Sequence, residues 1–220
     1  MTPSLETITE MNNTEVVVCI HGLFMNGWDM TLLRSRISDV GYDTHQFSYS
    51  STSSNIELIV EELRIFVEEL DAETVHFVCH SLGGLIVRHY LEHYPSTTQG
   101  RIVTLGTPHN GSGTAHFFHK FNLATMLLGE SLNAGLLGNA PEWKGQRELG
   151  SLAGNLGFGI GSLFKDLDSP NDGTVSVNET VLENSSAHLQ LSVSHTGLVL
   201  SKEVADEVLY FLKEGRFSKN

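Results

Sequence analysis

The run Val16-Val17-Val18-Cys19-Ile20 is apolar at every position and ends at His21-Gly22. A strand with one face in water alternates polar and apolar residues, so a continuous run has to be covered on both faces. Val75-His76-Phe77-Val78-Cys79 repeats the feature almost unbroken, and Arg101 to Leu105 repeats it again before Gly106. Helical patterns separate these runs. Met30, Leu33, Ile37 and Val40 fall on one side of a stretch closed by Gly41. Ile56, Ile59, Val60, Leu63, Val67 and Leu70 fall on one face behind Ser54-x-x-Glu57, which reads as a capping box. Leu82 to His93 is a third helix, stopped by Pro95. Tyr42 to Tyr49 is a more polar strand, Glu148 to Gly154 and His188 to Val193 are two further strands, and Ser201 to Glu214 is a final helix carrying Val204, Val208, Phe211 and Leu212. Strands alternating with helices place the chain in the α/β class, with a mostly parallel sheet of about six strands flanked by helices. The alternation breaks at residues 112–145, where Phe117, Phe118, Phe121, Met126, Leu127, Leu128 and Trp143 stand among glycines. Linkers are not this apolar, so 112–145 is expected to be a small helical cap inserted into a single domain of residues 1–220.

Composition narrows the partners. The 220 residues carry 26 Asp plus Glu against 13 Lys plus Arg, a net charge of −13. Such a chain is a poor binder of nucleic acid or anionic membrane. No apolar run approaches the length of a membrane-spanning helix. Residues 1–13 have neither a basic start nor an apolar core, so no secretory signal is read and a cytoplasmic location is expected. Two cysteines make neither a disulfide framework nor a four-cysteine zinc site, and Cys19 and Cys79 are expected to be reduced core residues.

In open parallel sheets, ligands bind beyond the carboxyl ends of the strands. The residues expected there are His21-Gly22-Leu23-Phe24, Ser81, Thr107-Pro108-His109-Asn110-Gly111, Asn171-Asp172-Gly173 and Ser194-His195-Thr196. Ser81 stands between a buried strand and an amphipathic helix, in Cys79-His80-Ser81-Leu82-Gly83-Gly84. A tight strand-to-helix turn pushes a serine hydroxyl outward and needs small residues two before and two after it. Gly83 meets that need, and Cys79 stands where the pattern has glycine. The backbone N–H groups of Leu23 and Leu82 are the expected oxyanion donors. His195 alone among the eleven histidines follows the last strand. Asp172, in an exposed turn next to Gly173, is the preferred acid, with Asp166 and Asp168 as rivals.

These motifs, with Thr104-Leu105-Gly106-Thr107-Pro108-His109-Asn110-Gly111-Ser112, resemble those of the α/β-hydrolase superfamily, and within it the small bacterial serine esterases and lipases. The resemblance runs from about Glu15 to Phe217. The order Ser81, Asp172, His195 is the order of that superfamily. It implies an α/β-hydrolase fold and a catalytic triad that cleaves carboxylic esters through an acyl-serine. A small-molecule ester or lipid would be the substrate, without a cofactor. The two antiparallel strands that open the sheet of larger members are expected to be missing. Similar secreted lipases hold calcium beside the histidine with aspartates. No aspartate follows His195 and no H-E-x-x-H occurs, so no metal is expected. Thioester or amide cleavage, acyl transfer, or a non-catalytic ligand-binding role on the same scaffold stay open.

Overall fold

The computed structural model describes residues 15–51, 55–95, 98–113, 135–136, 138–157 and 168–219. Six strands, β1 (Glu15–Ile20), β2 (Asp43–Phe47), β3 (Thr74–His80), β4 (Ile102–Leu105), β5 (Leu149–Gly154) and β6 (Ala187–Leu191), form one sheet in the order β2-β1-β3-β4-β5-β6. Every neighbouring pair is parallel. The order reverses direction between β1 and β3, so the loops after these two strands open onto one crevice. The unbroken apolar runs are the central strands β1, β3 and β4, buried on both faces, while the more polar β2 is an edge.

Helices α1 (Thr31–Ser38), α2 (Ile56–Glu69) and α3 (Leu82–His93) come first in the chain. Behind β5 come α4 (Val177–Thr180), α5 (Gly197–Leu200) and α6 (Lys202–Glu214). Strand side chains alternate between two cores. Val16, Val18 and Ile20 join Val75, Phe77 and Cys79 against α2 and α3. Val17 and Cys19 join Val78, Val103 and Leu105 against α1, α5 and α6. The parity keeps the two thiols apart: Cys79 is paired in register with Ile20, which leaves Cys19 and Cys79 on opposite faces, and both are free and buried. On α2 the predicted stripe of Ile56, Ile59, Val60, Leu63 and Val67 is buried, worth about 1.5–3 kcal/mol per side chain.

Two local expectations are corrected. Asn55, one residue later than predicted, caps α2, its side chain accepting the Glu57 N–H at 2.7 Å. Val40 lies past the end of α1 and is exposed, so the stripe of that helix stops at Ile37. The short helices α4 and α5 have too few residues to show a period and were not predicted. Of the expected cap at 112–145, residues 114–134 and 137 lie outside the described residues; Leu136 and Trp143, inside them, bury against the α2–α3 face.

Candidate active site

Ser81 is the single residue between the end of β3 and the start of α3. It sits at φ 51°, ψ −119°, a conformation that costs a non-glycine residue about 1–3 kcal/mol and survives only where neighbours enforce it. They do so through the backbone. The Ser81 N–H donates to the Leu105 carbonyl at 2.9 Å, and the Ser81 carbonyl accepts the Thr107 hydroxyl at 2.8 Å. Gly83 permits the turn to press on β1, because a Cβ there would lie 2.5 Å from the Ile20 carbonyl oxygen and 2.9 Å from that of His21. Leu82, first residue of α3, carries one of the backbone N–H groups that a helix start leaves without an intrahelical acceptor. Cys79 is fully buried under the turn, and burial pushes its thiol well above its ordinary value. A thiol held protonated is a small filler.

Asp172 and His195 come from the loops before and after β6. Asp172 Oδ2 accepts from His195 Nδ1 at 2.7 Å, and the Asp172 carbonyl accepts the His195 N–H at 2.9 Å. The other carboxylate oxygen accepts the Thr174 and Val175 N–H groups at 2.9 and 2.8 Å. The turn expected to be exposed is therefore closed on itself, and Asp172 is 1% exposed, because its carboxylate is consumed by three donors. Asp168 is exposed, and Asp166 lies outside the described residues. Gly106, at φ 60° after β4, passes against the pair: a Cβ there would lie 3.0 Å from His195 Nδ1 and 3.1 Å from Asp172 Oδ2.

His80, which sequence reasoning left unassigned, joins the two segments. Its Nε2 lies 3.1 Å from the His195 carbonyl, and the two rings are 4.6 Å apart. A carbonyl only accepts, so Nε2 carries the proton. Burial, with His195 beside it, pushes His80 down to about 3 and keeps it neutral. The signal available in the sequence was a histidine as the last residue of a fully buried strand. His21 was likewise read only as part of a turn; its ring is fully buried and stacks on Tyr49 at 4.5 Å. Leu23 follows in the turn after β1, whose Gly22 lies against Ser81.

The arrangement places a hydroxyl on a strained turn and a helix start after β3, and a buried carboxylate bonded to a partly buried imidazole in the loops that follow β5 and β6. A hydroxyl, an imidazole–carboxylate pair and free backbone N–H groups are groups that acyl transfer can use.

A family model described as palmitoyl protein thioesterase matches residues 16–141, more than half of the chain, including Ser81 and ending before Asp172 and His195. No curated protein matches the chain. Among solved structures it is similar to the mature lipase BlEst2 of Bacillus licheniformis, at 20% identity over 86% of this chain and 87% of that one, with a TM-score of 0.70. The metagenomic carboxyl esterase MGS0156 is 18% identical over 84% and 65%, with a TM-score of 0.65. The monoacylglycerol lipase of Paleococcus ferrophilus is 12% identical over 91% and 94%, with a TM-score of 0.58. At these identities the likeness is one of fold, the six-stranded parallel α/β-hydrolase sheet.

Proposed function

Since the chain belongs to the palmitoyl protein thioesterase family of the α/β-hydrolase superfamily, hydrolases of the esterase, lipase and thioesterase type, we propose that it cleaves carboxylic esters through an acyl-serine with Ser81 as nucleophile, His195 as general base and acid, and Asp172 as its anionic partner. The observation that carries this reading is the 2.7 Å contact between His195 Nδ1 and the buried Asp172 carboxylate. The carboxylate has no proton to give, so Nδ1 is the protonated nitrogen and the Nε2 lone pair is free to take a proton. Ser81 Oγ adds to the acyl carbon while His195 Nε2 removes the hydroxyl proton. The imidazolium is stabilised by Asp172. The carbonyl oxygen, now negative, is held by the Leu23 and Leu82 N–H groups. His195 then protonates the leaving group, and water repeats the sequence on the acyl-serine.

A thioester is the second reading, favoured by the name of the matching family. A thiolate leaves with less protonation than an alkoxide, so the same residues suffice for it. No helix among the described residues is long and apolar enough to cross a membrane. A cytoplasmic enzyme acting on small ester or lipid molecules, without nucleic acid, fits that and the acidic charge. A fluorophosphonate probe should label the wild type and leave Ser81→Ala unlabelled. A chain-length series of p-nitrophenyl esters, run beside the matching acyl thioesters, then ranks the two acyl bonds. Full ester turnover by Ser81→Ala would overturn the assignment.

A further inference from the structure

The turn after β1 contains a buried imidazole that the chemistry above does not use. His21 Nδ1 lies 2.8 Å from the Gly22 carbonyl oxygen, and its Nε2 lies 3.3 Å from the Tyr49 N–H. An N–H only donates, so Nε2 is the accepting nitrogen and Nδ1 carries the proton. Both partners therefore require one tautomer of a neutral ring. Burial, the largest effect on it, lowers the His21 pKa and favours that neutral form. Tyr49 also stacks on the ring at 4.5 Å and 10°, and its hydroxyl donates to the backbone carbonyl of His21 at 3.0 Å.

The Gly22 carbonyl and the Leu23 N–H belong to one peptide unit. In a planar trans peptide they point in opposite directions. Fixing the carbonyl toward His21 therefore aims the Leu23 N–H away from it. The next peptide is pinned too: the Phe24 N–H donates to the hydroxyl of buried Ser51 at 3.2 Å, with Phe24 itself at φ 58°. The turn borders the nucleophile, since a Cβ on Gly22 would lie 2.9 Å from Ser81 Cβ.

We propose that His21 and Ser51 are the positioning residues of the oxyanion hole: by holding the Gly22 carbonyl and the Phe24 N–H they keep the Leu23 N–H turned toward the oxygen that becomes negative when Ser81 attacks. The proposal rests on the serine-hydrolase reading and on Leu23 as a donor. Neither side chain touches the substrate. Their contribution is to remove the peptide rotation that would otherwise precede each turnover.

The test uses two amides. In His21→Asn the side-chain amide nitrogen sits where Nδ1 sits and can still donate to the Gly22 carbonyl. In His21→Gln the amide lies one carbon further out, at the position of Nε2. Three quantities are measured with a p-nitrophenyl ester: kcat, KM, and inhibition by an alkyl boronic acid, whose Ser81 adduct places an oxygen in the oxyanion position. His21→Gln should lower kcat by about 10²-fold, as loss of one oxyanion donor does, with KM within about threefold and boronate inhibition weakened in parallel with kcat. His21→Asn should recover kcat to within about fivefold of wild type. Equal losses in the two variants, or a change in KM with kcat and boronate inhibition unmoved, would overturn the proposal. If His21→Gln does not fold, Ser51→Ala carries the test with His21 intact: kcat and boronate inhibition should fall together at constant KM, and an unchanged kcat overturns it. Ser81→Ala in the same assay separates the two readings, because its retained turnover would remove the serine-hydrolase reading itself.

Discussion

The two sides of the site are held in different ways. On the Ser81 side the constraint is against backbone: a Cβ on Gly83 would meet the carbonyls of Ile20 and His21 on β1, and the strained serine between β3 and α3 is tied by its own backbone to Leu105 and Thr107. On the Asp172–His195 side the constraint is a set of side-chain hydrogen bonds, two from within the Asp172 turn and one from His195, 23 positions on, and a Cβ on Gly106 would meet the side chains of Leu198, His195 and Asp172 rather than backbone. Backbone cannot move aside without disturbing the sheet, whereas a side-chain pair can shift by tenths of an ångström and keep the fold. Damage on the Ser81 side should therefore register first as lost stability. Damage on the other side should register first as lost turnover.

Asp172→Asn is the strongest test of that contrast. The asparagine oxygen can still accept the Thr174 and Val175 N–H groups, so the turn should persist. Its NH₂ would then face His195 Nδ1 and force that nitrogen to accept, leaving the proton on Nε2, where it blocks uptake of the serine proton. We expect kcat to fall by about 10⁴-fold with the urea midpoint nearly unchanged. A nearly active Asp172→Asn beside a dead Asp168→Asn would assign the acid elsewhere.

Next in size is a pair of glycine replacements that puts the two sides against each other. Gly83→Ala should cost about 3 kcal/mol in urea unfolding, because its Cβ meets backbone oxygens at 2.5 and 2.9 Å. Gly106→Ala should cost about 1–2 kcal/mol, from its φ of 60° and a Cβ 2.7 Å from Leu198 Cδ1, and lower kcat more than tenfold in the protein that remains folded, since the same Cβ crowds His195 Nδ1 and Asp172 Oδ2 at 3.0 and 3.1 Å. The opposite ranking in stability would break the distinction.

His80 bridges the two sides, and it makes the fold sensitive to acid. Its folded pKa is about 3, below the value of about 6.5 expected when unfolded. Between these values the unfolded chain binds the proton and the folded chain does not. The associated stability is fully present above about pH 6.5 and is lost as pH falls toward 3. Between pH 7 and pH 5 this one histidine should remove about 2 kcal/mol. His21, His76, His109 and His188, also lowered chiefly by burial, act in the same direction. Urea midpoints measured across that range report the slope, and a flat profile would contradict buried neutral histidines. The smallest effect belongs to Cys79→Gly, which should retain esterase turnover and lose about 1 kcal/mol for the emptied volume. A folded Cys79→Gly without activity would give the thiol a role beyond filling space.

Most of the scaffold was legible in the linear chain, for a local reason. Burial on both faces forces unbroken apolar runs, so β1, β3 and β4 announced themselves, and α3 begins and ends at Leu82 and His93 as its pattern predicted. The tight turn at Ser81 was legible because its requirement for a small residue is satisfied two positions away, by Gly83. Boundaries set by side-chain competition were less visible: Asn55 rather than Ser54 caps α2, and Val40 falls outside its helix. Asp172 and His195 could be named from their places beyond the strands, but the hydrogen bonds that hold them could not be read, because such bonds are made across space and carry no period. Nothing near Asp172 in sequence shows that its carboxylate is buried with three donors, one of them 23 positions away on His195. Nothing near His21 shows that Tyr49, 28 positions on, fixes its tautomer. The chain's local pattern marked the strands, the longer helices and the place of the serine turn. Only the packed sheet brings distant donors and acceptors within hydrogen-bond distance, and so pairs His195 with Asp172 and Tyr49 with His21.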